Sequence, residues 1–156
     1  MARLNRLHLG AGSYFWPTFD NLDEESDLKD LDYENESVDS IYAIHLFEHL
    51  PRPEINSFLQ EWKRVLVSRG TLVMEMPSLD KIAQLIVAGE TNERLTVLGL
   101  LGDPRDWDNY PLMRHNWAWT NRELKEVLTE NGFEVEFANP VYHIQQRDLR
   151  VIARKL

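Results

Sequence analysis

Apolar positions along the chain recur with two periods, and together they set out an expected order of elements. Arg3 to Leu9 reads as a strand that runs into Gly10 and Gly12, where the backbone turns tightly or comes close to something. Phe19 to Asp23 is a second short strand ending in an acid, and the gap before it is too short for a long helix. Val38 to Ile44 has the β-branched and aromatic character of a buried strand. Pro53 then opens a helix in which Ile55, Phe58, Leu59, Trp62, Val65 and Leu66 recur at helical spacing. That helix is expected to stop at Ser68-Arg69-Gly70, with the glycine as a left-handed cap. Thr71 to Met76 follows as a strand that Pro77 breaks. Strand, crossover helix and strand at this spacing make a right-handed parallel βαβ unit.

The second half continues the alternation. Ser78 to Gly89 is read as a helix with Leu79, Ile82, Leu85 and Ile86 on one face, and Thr91 to Leu101 as another. Gly102 to Arg114 is irregular and long enough to be a lid or binding loop. Thr120-Asn121-Arg122-Glu123 forms a capping box for a helix that buries Leu124, Val127 and Leu128 and stops at Gly132. Phe133 to Ala138 and Leu149 to Ala153 close the chain as a pair of strands. Alternating strands and helices of this kind predict a doubly wound α/β sheet.

Composition narrows the partners. The 156 residues fit one domain over 1–156, and the absence of cysteine excludes disulfides and thiolate chemistry. With no apolar run of signal or membrane length, the expected place is a reducing cytoplasm and no membrane partner is expected. A net charge of −9 argues against binding a nucleic-acid backbone. Much of the acid lies between Asp20 and Glu36, opposed there only by Lys29, and reads as a solvated loop face.

Three ligands compete for the glycine turn. A nicotinamide dinucleotide asks for a third glycine where this chain has Phe15, and a nucleoside triphosphate asks for a lysine and hydroxyl that are missing. A nucleoside without phosphate remains. Asp23, at the tip of the second strand, could accept hydrogen bonds from both ribose hydroxyls.

Taken in order, these pieces resemble class I S-adenosylmethionine-dependent methyltransferases, in particular the small type 11 group. The likeness rests on Leu7-His8-Leu9-Gly10-Ala11-Gly12-Ser13, Asp20-Asn21-Leu22-Asp23, Asp27-Leu28 and Glu36-Ser37-Val38-Asp39. It continues through His45-Leu46-Phe47-Glu48-His49-Leu50, Trp62-Lys63-Arg64-Val65-Leu66, Gly70-Thr71-Leu72 and His115-Asn116-Trp117-Ala118-Trp119-Thr120. The resemblance implies a three-layer Rossmann-like methyltransferase fold, a mostly parallel sheet with an antiparallel C-terminal strand. It implies S-adenosyl-L-methionine as cofactor, held by Leu9, Gly10, Ala11, Gly12, Ser13, Asp23, Asp27, Leu28 and His45. Family members usually fit a helix and a strand where only three residues separate Asp23 from Asp27, so an edge strand is expected to be missing and the adenine wall to be incomplete. A second strand left at the edge would be ready to pair in a homodimer.

Methyl transfer from a sulfonium is an in-line displacement, and a base is needed only if the acceptor must lose a proton. The expected candidates are His45, His49 and His115, with Tyr14, Trp117 and Trp119 as a wall for a small or sugar-like acceptor. The plain alternative for the last stretch is that its tryptophans fill core and His115 bonds a loop. A copy of the fold that binds or regulates without catalysing is the rival from another class. His45-Leu46-Phe47-Glu48-His49 also matches the inverted zinc-protease pattern, but Pro51 and Pro53 deny it a sustained helix and no third ligand is evident in the sequence. Glu48 and His49 further resemble the metal-binding pair of quinone-pathway O-methyltransferases; even so, no metal is expected.

Overall fold

Four strands, β1 (Arg6–Leu9), β2 (Asp20–Leu22), β3 (Val38–Ile44) and β4 (Leu66–Pro77), pair in parallel, as the hydrophobic pattern predicts. β6 (Asp148–Lys155) lies antiparallel between β4 and β5 (Phe133–Ala138), giving the order β2-β1-β3-β4-β6-β5. The computed structural model describes residues 5–12, 14–23, 25–108, 110 and 113–156. Among these, nothing pairs outside β2, so the expected loss of an edge strand is realised.

One face of the sheet carries the core. Leu7, Leu9, Ile41, Ala43, Leu72, Met74, Val151 and Ala153 alternate along their strands and share that face with α1 (Ile55–Val65) and α4 (Asn121–Glu130). α1 buries Ile55, Phe58, Leu59, Trp62 and Val65, and α4 buries Leu124, Val127 and Leu128, both as expected. The Thr120 side chain accepts from Glu123 N and caps α4, and Gly132 ends it at φ 84°. On the opposite face His8 pairs with Tyr42, and the short β1–β2 connection supplies the cover that a helix would give elsewhere. Trp16 stacks on His8 at 4.1 Å, and the rings of Phe19, Tyr42 and Tyr142 lie around Trp16.

Three local expectations are corrected. α1 ends at Val65 and not at Ser68-Arg69-Gly70: Leu66 is already extended and pairs with Val38, so tertiary pairing takes the residues that helical spacing would continue through. The left-handed residue is Arg69, at φ 64°, and Gly70 is small for another reason. A Cβ there would stand 2.9 Å from the Val67 carbonyl oxygen and 3.2 Å from that of Asp39. In α2 (Leu79–Val87) only Ile82 is buried, whereas Ile86 is 49% exposed, because little of the chain packs over that face. Thr91 to Leu101 divides into a turn at Glu93–Leu95 and a short α3 (Val97–Leu101).

The acidic stretch is more ordered than its charge suggests. Arg64 donates to the Leu31 and Tyr33 carbonyls at 3.0 and 2.9 Å and to Asn35 Oδ1 at 2.7 Å, while Leu31 N donates to Glu61. One guanidinium on α1 therefore ties down the loop that replaces the missing strand. Among the described residues, no helix is long and apolar enough to cross a membrane.

Candidate functional site

The register of the first two strands places the tips of both side by side. Leu9 pairs with Leu22, and Ala11 N donates to the Leu22 carbonyl at 3.1 Å, so the glycine turn lies directly against Asp23. Gly10 and Gly12 are both left-handed, at φ 67° and 51°. Gly12 has open space where a side chain would stand, which is what a close-approaching ligand needs. Gly10 differs: a Cβ there would meet the Leu46 side chain at 2.9 Å, so that flank of the turn is closed by the chain itself.

The other predicted cofactor residues divide by burial. Asp23 and Asp27 are exposed, with Asp27 Oδ1 accepting from Lys29 N. Leu28 is half-buried against the core, and its carbonyl accepts from Trp62 Nε1 at 3.0 Å. Leu9 is fully buried, so only its backbone faces the turn, and Ala11 is buried beneath it. Ser13 lies outside the described residues.

His45 sits immediately after β3 in a left-handed conformation, φ 52°, and its N–H donates to the Glu75 carbonyl. Its ring stands between two carboxylates: Nδ1 is 3.0 Å from Glu48 and Nε2 is 3.2 Å from Asp148. Burial by itself pushes this imidazole down, but the Glu48 and Asp148 charges outweigh it and hold it up, at about 9. Burial likewise pushes both acids up, but His45 prevails at Glu48, and His45 together with Arg147 prevails at Asp148, so each is held at about 2. Both ring nitrogens of His45 are thus engaged by carboxylates, which fix the ring in place.

The other two predicted histidines, His49 and His115, meet beyond the same loop. His49 donates Nδ1–H to the Arg114 carbonyl at 2.9 Å, and His115 donates Nδ1–H to the Gly99 carbonyl at 3.0 Å. A carbonyl oxygen only accepts, so each bond fixes the tautomer. Their rings lie edge to face at 4.8 Å, and burial pushes His115 below its ordinary value. Asn116 N and Trp117 N both donate to the Glu48 carbonyl, at 2.8 and 3.2 Å, which stitches the 114–117 segment to the β3 loop.

Trp119 is 1% exposed and packs on Phe47, so it fills core and no acceptor reaches it in this conformation; the alternative reading of that residue holds. Trp117 is 40% exposed, with Nε1 donating to Glu123 and Arg52 stacked over its ring. Tyr14 is 71% exposed beside the glycine turn. Of the irregular stretch, Asn109, Pro111 and Leu112 lie outside the described residues, and 104–108 run in turns. An open cleft of about 340 Å³, lined by Lys81, Asn121, Phe137 and Asn139 among others, lies at the β5–β6 end, away from the glycine turn.

Two features went unread in the sequence. Asp148 meets His45 across 103 positions, and no local spacing joins them. Asn21 knots the β1–β2 connection, accepting from Trp16 N and from His8 Nδ1 and donating to the Trp16 and Phe19 carbonyls. An asparagine inside a strand next to an aromatic run was the available signal.

Residues 18–74 match the methyltransferase domain family model. A search by sequence among curated proteins finds no match. Among solved structures, a SAM-dependent methyltransferase from Methanosarcina mazei is similar at 15% identity and a TM-score of 0.66, over 100% of this chain and 94% of that one. A SAM-dependent methyltransferase from Archaeoglobus fulgidus follows at 14% identity, TM-score 0.64, over 97% and 86%. A Haloferax volcanii methyltransferase, solved in complex with the Trm112 methyltransferase activator, is similar at 13% identity, TM-score 0.63, over 97% and 82%. By the match over residues 18–74 and by the order and direction of its six strands, the chain is a domain of the class I methyltransferase fold.

Proposed function

We propose that the chain binds S-adenosyl-L-methionine at the glycine turn and transfers its methyl group to a small acceptor, sugars included. The observation that carries this reading is the open, left-handed Gly12 set beside Asp23 by the Leu9–Leu22 register. When bound, the cofactor supplies a methyl group on a sulfonium, a leaving arrangement that needs alignment more than acid–base help. In this reading the Gly10–Gly12 backbone borders the methionine part, Asp23 accepts from the ribose hydroxyls, and Asp27 and Leu28 border the adenine.

Tyr14 and Trp117 present the exposed rings against which an acceptor would lie, and His49 or His115 would relieve it of a proton where one must leave. The cysteine-free composition suits a cytoplasmic setting. The unpaired β2 edge, and a Trm112-type partner in one similar structure, support assembly with a second chain.

Two observations favour a second reading, a binding or regulatory protein that keeps the fold. Leu46 closes the Gly10 flank, and among the described residues no strand outside β2 completes the adenine side. Calorimetric titration with S-adenosylmethionine and S-adenosylhomocysteine separates the two. Saturable binding of both supports the enzyme, and heat from neither at millimolar concentration supports the regulatory copy.

A further inference from the structure

The core lies on one face of the sheet, and the other face is only partly covered. Strands that pair in parallel are ordinarily buried on both faces, because their crossovers lay chain on each side. Here His8, Tyr42, Val73 and Ile152 follow one another in register on the face away from α1 and α4, and none of them belongs to the core cluster. Over β1, Trp16 and Phe19 form a ridge, with Tyr42 edge-on to both rings. Past β3 that cover gives out. Thr71 and Ile152 are only half-buried, and Arg154, Glu134 and Glu136 are exposed, so among the described residues β6 and β5 lie open on this side.

The charges on this face are unevenly placed. Arg6 stands on β1 with its guanidinium over the Phe19 ring, 5.7 Å from the centroid. In the same rank across the strands come Ser40, Thr71, Arg154 and, at the far margin, Glu134. Glu136 stands in the next rank, opposite Ile152, so β5 presents two acids. Glu134 has Arg69 at 3.6 Å in the open, where an ion pair counts for little. With base at one margin, acid at the other and apolar side chains between, the face is complementary to itself.

We propose that a second copy of this chain packs on that face, about a twofold axis running along β4. Such an axis lays β1 of each copy over β5 of the other, β3 over β6, and β4 over β4. Tyr42 then meets Ile152 of the second copy, Val73 meets its own counterpart, and Arg6 meets Glu134, with Glu136 two residues along. The Trp16 ridge of each copy enters the open side of the other. Charge selects this axis. Moved between β3 and β4, it would set Arg6 against Arg154, and a twofold laid across the strands would set the β5 acids against each other. Each contact occurs twice, as a twofold requires, and the pattern is an apolar centre with a charged rim. Two sheets aligned about 10 Å apart give long side chains of this kind room to interdigitate. The surface is distinct from the β2 edge, where pairing would run through backbone hydrogen bonds and ignore these charges. Association alone tests it, so it does not rest on the methyl-transfer reading.

The test is sedimentation velocity of the full chain over a range of concentrations, and a dimer is the expected wild-type species. Arg6→Glu and Glu134→Arg each bring like charges together twice in their own dimers, and each is expected to weaken association about tenfold or more. Mixed together, the two variants satisfy both contacts, and a one-to-one heterodimer is expected. Ile152→Lys is expected to give a monomer. Its ammonium stands opposite Glu136 in its own sheet, which the fold tolerates, but it meets Tyr42 in the apolar centre of the dimer. Circular dichroism checks folding, and where Glu134→Arg fails to fold, Arg6→Glu and Ile152→Lys decide. A wild-type chain that stays monomeric at about 0.1 mM overturns the proposal. So does a dimer that the folded variants leave unchanged, or a mixture of the two folded charge variants that stays monomeric.

Discussion

Asp23 is exposed at the tip of β2 and supports no packing, so removing its carboxylate should act on ligand affinity alone. Asp23→Ala is expected to weaken S-adenosylmethionine binding by about 1–3 kcal/mol, the scale of a charged hydrogen bond, with an unchanged melting temperature in the absence of ligand. Titration calorimetry beside thermal melts checks both halves, and unaltered affinity removes Asp23 from the site. His8 gives a pH prediction. Burial under Trp16 pushes its imidazole below 6.5, so the unfolded chain takes up its proton first as pH falls. Its contribution to stability is whole above 6.5, declines as pH drops through that value, and levels off below the folded value. His8→Phe keeps a ring against Trp16 and cannot titrate. Denaturant melts at pH 7 and pH 5 should therefore show a smaller loss in the variant than in the wild type.

At the scale of elements, the two turn glycines are predicted to differ. Gly12→Ala meets only the left-handed backbone and should cost about 1 kcal/mol, whereas Gly10→Ala adds a collision with Leu46 and should cost more. Urea midpoints order the two variants, and equal costs would show that Leu46 yields. Arg64 anchors the connection between β2 and β3 through backbone carbonyls and Asn35. Arg64→Ala is expected to lose about 1–3 kcal/mol and to speed hydrogen exchange at residues 31–35, while amides of α4 keep their protection. Elements were legible where burial follows the local period. α1 and α4 present one apolar stripe each, and β1, β3 and β5 fall where the pattern puts them. The end of α1 was illegible because Leu66 answers to Val38, a partner distant in sequence.

For the whole molecule, a ligand that binds only the folded chain raises its stability by mass action. S-adenosylmethionine at about one hundred times its dissociation constant should add about 2.7 kcal/mol, read as a shift in the melting temperature. No shift alongside no calorimetric heat would leave the chain as a binding or regulatory copy of the fold. The sequence by itself determined the class of fold, the order of strands and helices, and the glycine turn with the acid in the next short strand. These depend on period, on backbone freedom and on the length of connections, all of which are local. Only the tertiary structure decided which side chains share a point in space. It drew His45 between Glu48 and Asp148, sank Trp119 into the core, set Leu46 on Gly10 and brought His115 to Glu48 and His49. The charge state of an imidazole depends on distances between atoms, and chain spacing does not set those distances.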